Sequence, residues 1–322
     1  MIEIDGSEGE GGGQVIRTAM TLSAITKKPV RIFNIRANRP KPGLQMQHLT
    51  AVRAVRNVCR GTLEGAELES SEIKFIPGEI VGGRYEFDIG TAGSVTLVAQ
   101  TLLPILLVGA KKDSELRIVG GTHVIKSPGY DYFENVFLPA IAKFGATVES
   151  KMLCPGYYPK GGGEIELKVK QVERLTGCES WQQSNETKTL IRLSDLQLLI
   201  AIREKKIFIQ NGLEKVFIRQ DPALSPGNAL TTWRGYRGAY VLGEKGKRAE
   251  QVAQEALDML NAEKNDVDCH LADQLLLYGA LAEGKTSYKT SSITEHLRTN
   301  STTVSKFLDR KIGIENNEII IE

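Results

Sequence analysis

Apolar and polar positions along this chain switch between two periods, and the order of the switches is itself a signal. Met1 to Asp5 alternates as a short strand would. Val15, Ile16, Ala19, Met20, Leu22 and Ile25 then recur at helical spacing, and Leu44 to Val58 reads as a second helix opened by Gln47 and His48. Strand patterns follow at 62–64, 72–76 and 84–88, with turn signals at Pro77-Gly78 and Gly82-Gly83. A glycine-bearing turn, Asp88 to Ser94, leads into an apolar helix, Val95 to Val108. A strand at 115–119, a helix from Tyr130 to Lys143 and strands at 146–149 and 163–169 come next.

This order repeats. Glycine turn, helix, strand, second helix and two strands run from Gly9 to Phe87, and again from Gly90 to Val169. The period is roughly 80 residues, the scale of duplicated modules. A third copy comes late, with a helix at 273–282, a strand at 287–289, a helix at 302–308 and strands at 311–314 and 318–321. It is displaced by an insert, so the sequence predicts a repeat domain of residues 1–173 and 266–322, with residues 174–265 inserted. Within the insert, strands are expected at 189–191, 207–210 and 239–242, a turn-rich loop at 222–228 and a helix at 248–260. Such a length can hold a small α+β core of its own.

Composition narrows the class. The 322 residues carry a net charge of +2, too little for a polybasic protein, so any nucleic-acid site must be local. Four cysteines without CxxC spacing argue against a disulfide framework or structural zinc and fit a reducing cytoplasm. The apolar run Val95 to Val108 is broken by Gln100 and Pro104 and is too short to span a bilayer, so no membrane partner is expected.

Charge is nonetheless uneven. From Gly11 to Leu63 there is no Asp or Glu, while Arg17, Arg31, Arg36, Arg39, Lys41, Arg53 and other cations lie there. The densest part, Arg36 to Gly43, is a proline-restricted loop, and arginine suits bidentate phosphate contact. Just before it, Gly6 to Gln14 places many glycines ahead of a helix N-terminus. That favours an anion, though an ordinary strand-to-helix turn would look alike. Glu8 and Glu10 in this turn would repel phosphate unless a divalent cation, Mg²⁺ or Mn²⁺, lay between; solvated loop acids are the plain alternative. Among the four histidines, His296 stands out. It sits among Thr294, Arg298, Thr299 and Asn300 rather than apolar neighbours, as a presented nucleophile would.

Several stretches together resemble the RNA 3′-terminal phosphate cyclase family. They are Gly9-Glu10-Gly11-Gly12-Gly13-Gln14-Val15-Ile16-Arg17, Ile35-Arg36 with Arg39, Lys41 to Leu44, Gln47 to Val52, Ile89 to Ser94, Tyr158 to Gly163, Gly243 to Lys245, Leu271 to Gln274, and His296-Leu297 with Thr299-Asn300. The resemblance implies an α/β (α+β) fold of three βαβαββ-type modules with a smaller α+β domain inserted in the third. It implies ATP and RNA 3′-phosphate ends as partners, with a homodimer as a candidate assembly. The implied reaction turns an RNA 3′-phosphate into a 2′,3′-cyclic phosphate through a histidine-AMP intermediate. By the same resemblance His296 is the nucleophile and Glu10 the metal ligand. Arg17, Arg36, Arg39, Gln47, His48 and Gln100 would bind ATP or RNA phosphates, and Pro128, His270, Asp273 and Gln274 would hold the nucleotide. Some members place a tyrosine just before Leu-Ala-Asp-Gln; His270 stands there in this chain, which leaves adenine preference over guanine open. Two rivals share the architecture. One is a non-catalytic cyclase-like ribosome-assembly scaffold, which lacks the histidine. The other is an enolpyruvyl transferase, which lacks the His-Leu-x-Thr-Asn stretch.

Overall fold

The computed structural model describes residues 1–322. The first module holds β1 (Ile2–Asp5), α1 (Gly13–Thr26), β2 (Val30–Phe33), α2 (Met46–Val58), β3 (Thr62–Glu64) and β4 (Ile73–Ile76). The second holds β5 (Arg84–Asp88), α3 (Val95–Gly109) and β6 (Ser114–Gly120). A continuous helical run follows, made of α4 (Tyr130–Tyr132), a π turn (Phe133–Phe137) and α5 (Leu138–Ala142). Then come β7 (Thr147–Cys154) and β8 (Gly163–Lys170).

Next in the chain lie β9 (Lys188–Ser194), α6 (Leu199–Gln210), β10 (Val216–Gln220), β11 (Gly227–Arg234), β12 (Arg237–Leu242) and α7 (Ala249–Ala262). The chain closes with α8 (Cys269–Leu281), β13 (Thr286–Lys289), α9 (Glu295–Ser305), β14 (Ile312–Glu315) and β15 (Glu318–Ile321).

Three sheets share one plan. Their strand orders are β1-β2-β4-β3, β5-β6-β8-β7 and β13-β15-β14. The first pair is parallel in the first two sheets, and the remaining pairs are antiparallel. In the third, a parallel bridge from Val267 to Thr290 stands where a first strand would lie. The helices pack together between these sheets. α3 is apolar over most of its surface and buried almost end to end, as a central helix must be. One hydrophobic core of 64 buried residues unites all three modules. A separate core of 11, including Ile191, Phe208, Leu230 and Val252, lies between the sheet β10-β9-β11-β12 and helices α6 and α7. No helix is long and apolar enough to cross a membrane.

Several sequence expectations need correction. Residues 207–210 are not a strand but the last turn of α6. Ala201, Glu204 and Phe208 point inward at intervals of three and four, a helical period that the apolar cluster at its end concealed. β10 and much of β11 lay unseen, and the 222–228 loop gives way to β11 at Gly227. The late helix starts at Glu295 rather than Thr302, because Thr294 caps it by accepting from the Leu297 N–H at 3.1 Å. His296 therefore sits in the first helical turn, not in a preceding loop.

A buried charge cluster joins the second module to β9. Asp131 is fully buried and accepts from Arg192 at 2.9 Å and from His123 Nε2 at 3.0 Å. Burial pushes its pKa up, but His123 and Arg192 outweigh that and hold it below the ordinary range. The stabilisation is thus present above the unfolded carboxyl's pKa of about 3.9 and is lost as pH falls through the lower folded value. Asp131→Ala leaves Arg192 buried and unpaired on that side. It should cost about 3–5 kcal/mol, read as a lowered urea midpoint.

Candidate active site

The loop before α1 reaches the far end of the chain. Gly9 holds φ at +59°, and a side chain there would collide with Thr299 on α9. The Thr18 hydroxyl donates to Asn300 Oδ1 at 2.8 Å, and Asn300 Nδ2 donates to the Asp273 carbonyl at 2.9 Å. These bonds lock α1, α8 and α9 together. A cavity of about 760 Å³ opens beside them. All twelve residues given roles by the resemblance line it: Glu10, Arg17, Arg36, Arg39, Gln47, His48, Gln100, Pro128, His270, Asp273, Gln274 and His296, whereas Glu8, the other acid of the glycine turn, pairs with Lys306 at 3.0 Å instead. They come from more than 280 positions of chain, and no local pattern requires them to meet.

His296 is half-buried, with each ring nitrogen engaged. Nδ1 lies 2.7 Å from Gln14 Oε1, and Nε2 lies 2.9 Å from Glu10 Oε2. Burial lowers its pKa below the ordinary histidine value; Glu10 opposes this, while Arg17 and Arg39 add to it. A ring biased toward the neutral form keeps a lone pair for attack. Gln14 was quoted within a motif but given no role by the sequence. Its contact is tertiary, so only the fold reveals it.

The cations differ in what they have left to offer. Arg36 donates from Nη1 to the carbonyls of Lys41 at 2.5 Å and Gly43 at 2.9 Å, which fixes the loop. Arg39 reaches Glu10 at 3.3 Å. Arg17, in α1, is brought down to about 10 by burial, with the Asp273 charge opposing. Asp273, nearly buried in α8, is pushed up to about 8 by burial against the pull of Arg17. The charges of Asp268 and Glu10 raise it further.

His48 follows a different logic. Burial, then Arg17 and Arg36, press its pKa down to about 3, so the ring is neutral. Its Nδ1 accepts from the Gln45 N–H at 3.4 Å, which leaves the proton on Nε2. That nitrogen faces Gly13, where any side chain would strike it. His48 is therefore a neutral donor.

The remaining side chains are braced by their neighbours. Gln47 Oε1 accepts from the Ser94 N–H at 2.8 Å, Gln100 donates to Gln274 at 2.6 Å, and Gln274 donates to the His270 carbonyl at 2.9 Å. Asp268 caps α8 through the N–H groups of His270 and Leu271. α8 therefore begins before His270, earlier than the sequence indicated. Pro128 is held by its carbonyl, which accepts from Thr96 at 2.7 Å. Residues 240–247 form part of the wall through Tyr240, Leu242, Glu244 and Lys247; Glu244 lies in the quoted stretch Gly243 to Lys245, but sequence reasoning assigned none of them a role at the site.

No cluster of three or more His, Cys, Asp or Glu groups could hold an ion unaided. The residues fit a weaker demand. A hard cation on a nucleotide is commonly held by one carboxylate and the phosphates themselves, and Glu10 supplies that one carboxylate beside the basic wall.

Comparison with known proteins agrees along the whole chain. The sequence profile described as RNA 3′-terminal phosphate cyclase matches residues 8–314. Proteins named RNA 3′-terminal phosphate cyclase are 45% identical in Archaeoglobus fulgidus, over 100% of both chains, and 42% in Methanosarcina barkeri, over 100% of this chain and 99% of that one. One from Sulfurisphaera tokodaii is 43% identical, over 100% of this chain and 98% of its own. The three matching sheets, the shared cavity and these end-to-end similarities lead to one conclusion: the chain belongs to the RNA 3′-terminal phosphate cyclase family.

Proposed function

We propose that this enzyme uses ATP to convert an RNA 3′-terminal phosphate into a 2′,3′-cyclic phosphate, with His296 carrying AMP between the two. The observation that carries the reading is a histidine at a helix N-terminus, oriented through Nδ1 by Gln14, inside a cavity walled by arginines. With the Nδ1 proton donated to Gln14, the lone pair for attack is on Nε2, and it becomes available when Glu10, 2.9 Å from that nitrogen, turns to the cation it would hold. Nε2 attacks the α-phosphorus, the bond to the bridging oxygen breaks, and pyrophosphate leaves with the electron pair. An RNA 3′-phosphate oxygen then takes AMP from His296. The neighbouring 2′-OH displaces AMP and closes the ring, giving up its proton as it does so.

Such transfers depend on positioning and charge neutralisation. Arg17, Arg36, Arg39, Gln47, His48 and Gln100 would meet the phosphates of ATP or RNA. Pro128 and His270 would flank the base, with Asp273 and Gln274 holding the nucleotide from α8. A divalent cation held by Glu10 would neutralise phosphate charge.

The test is incubation with α-labelled ATP and Mg²⁺ or Mn²⁺. The expected product is protein-bound label that is acid-labile and base-stable, as a phosphoramidate is. Absence of label on the wild type would remove the covalent route. It would favour the scaffold reading, which His296 in the cavity argues against. Glu10→Ala should slow labelling by about 10–100-fold, with partial recovery as metal concentration rises. A normal rate at low metal would take Glu10 out of that role.

A further inference from the structure

We propose that Tyr158 and Lys160, at the tip of the loop between β7 and β8, form a platform for the nucleotides upstream of the RNA 3′ end. The proposal rests on the reading that the substrate is an RNA end. Of nine tyrosines, Tyr158 alone is exposed, at 78%. Its neighbour Tyr157 is buried, stacked on His123 with ring centroids 5.5 Å apart. The loop could therefore tuck an aromatic ring inward, and does so one residue earlier.

The tip is built to a fixed shape. Gly161 (φ +68°) lies so close to the backbone of Thr91 and Ala92 that a Cβ would stand 2.8 Å from each, and Gly162 (φ +69°) is closed off by Leu224. The Gly161 N–H donates to the Tyr157 carbonyl at 2.8 Å, and the Lys160 N–H donates to Ser225 Oγ at 3.3 Å. The backbone is held on two sides while the side chains of Tyr158 and Lys160 are left in solvent. Lys160 has no carboxylate partner.

Position supplies the second observation. The Ile89–Ser94 loop separates this tip from the cavity. On one side it donates Ser94 N–H to Gln47, a cavity residue, and a Cβ at Gly93 would stand 3.0 Å from that of Gln47. On its other side lies Gly161. A single strand leaving the cavity over this narrow loop meets an aromatic face and a cation side by side. That pairing is how proteins hold single-stranded ends, by stacking a base and neutralising a phosphate. The motif Tyr158 to Gly163 thereby gains a purpose distinct from the chemistry at His296.

The test measures AMP transfer from labelled protein to a 3′-phosphorylated RNA decamer and to a 3′-phosphorylated dinucleotide. Tyr158→Ala should raise the half-saturating decamer concentration by about tenfold, within the range for loss of one stacked base. Tyr158→Phe should behave as wild type. Lys160→Ala should flatten the salt dependence of decamer use by about one unit of slope. Dinucleotide use and RNA-free labelling by ATP should hold in all three. Wild-type decamer use by both alanine variants would overturn the platform, as would equal losses on both lengths and in RNA-free labelling. If wild type takes no label from ATP, the underlying reading fails and the platform falls with it. If wild type labels normally and decamer use ignores Tyr158, only the platform falls.

Discussion

On the proposed covalent route, His296→Ala should abolish capture of AMP, with labelling reduced by at least about 10⁴-fold, because the group that would form the bond is gone and not merely displaced. The fold should survive. The side chain is half-exposed at the cavity, Glu10 keeps its contact with Arg39, and the α9 cap on Thr294 is untouched. A melting temperature within a few degrees of wild type checks that point. The competing histidines are poorly placed to substitute. His123 is buried against Asp131. His48 is neutral with its proton on the nitrogen nearest the cavity glycine, so it donates there and offers no lone pair. His270 lines the cavity, but no hydrogen bond orients its ring. Only His296 has one nitrogen fixed by an amide and the other turned to Glu10, the carboxylate that would hold the cation. Undiminished label on His296→Ala would move the nucleophile elsewhere and undo the reading.

How much of this was legible beforehand depends on the range of the interactions. The three modules could be read because glycine turns, helices and strands recur in a fixed order, and such order is local information. The first turn of α9 could not. Glu295-His296-Leu297-Arg298 has no apolar periodicity, and the helix is set by a threonine cap and by packing of Leu297 and Val304 against distant elements. In α6, Ile207-Phe208-Ile209 carries β-prone residues, yet burial at 201, 204 and 208 decides for a helix. The site divides the same way. Arg17, Arg36 and Glu10 were marked by charge and motif. Gln14 and Asn300 matter through contacts across most of the chain, to His296 and Thr18, and Tyr240 and Lys247 reach the cavity only through the fold; no spacing encodes either.

Arg17→Ala should separate activity from stability more sharply than any other change. Arg17 is partly buried at the cavity wall, and desolvation there brings its pKa down to about 10; the opposing influence is the charge of Asp273, itself pushed up to about 8. Arg17 is thus a desolvated cation whose natural partner is weakly ionised, and its donors are free for an arriving anion. Removing a positioned charge of this kind from phosphate transfer should cost about 10²–10³ in the labelling rate. The same change removes a desolvation penalty. Asp273, having lost the cation that favours its charged form, becomes neutral more readily and leaves no buried charge behind. The melting temperature should therefore stay level or rise while labelling collapses. Arg17→Lys would keep the charge and lose the planar fork, so it should recover only part of the rate. If Arg17→Ala instead unfolds the protein, the arginine is structural and Asp273 is its ionised partner. If it labels at the wild-type rate, the α-phosphate lies elsewhere in the cavity.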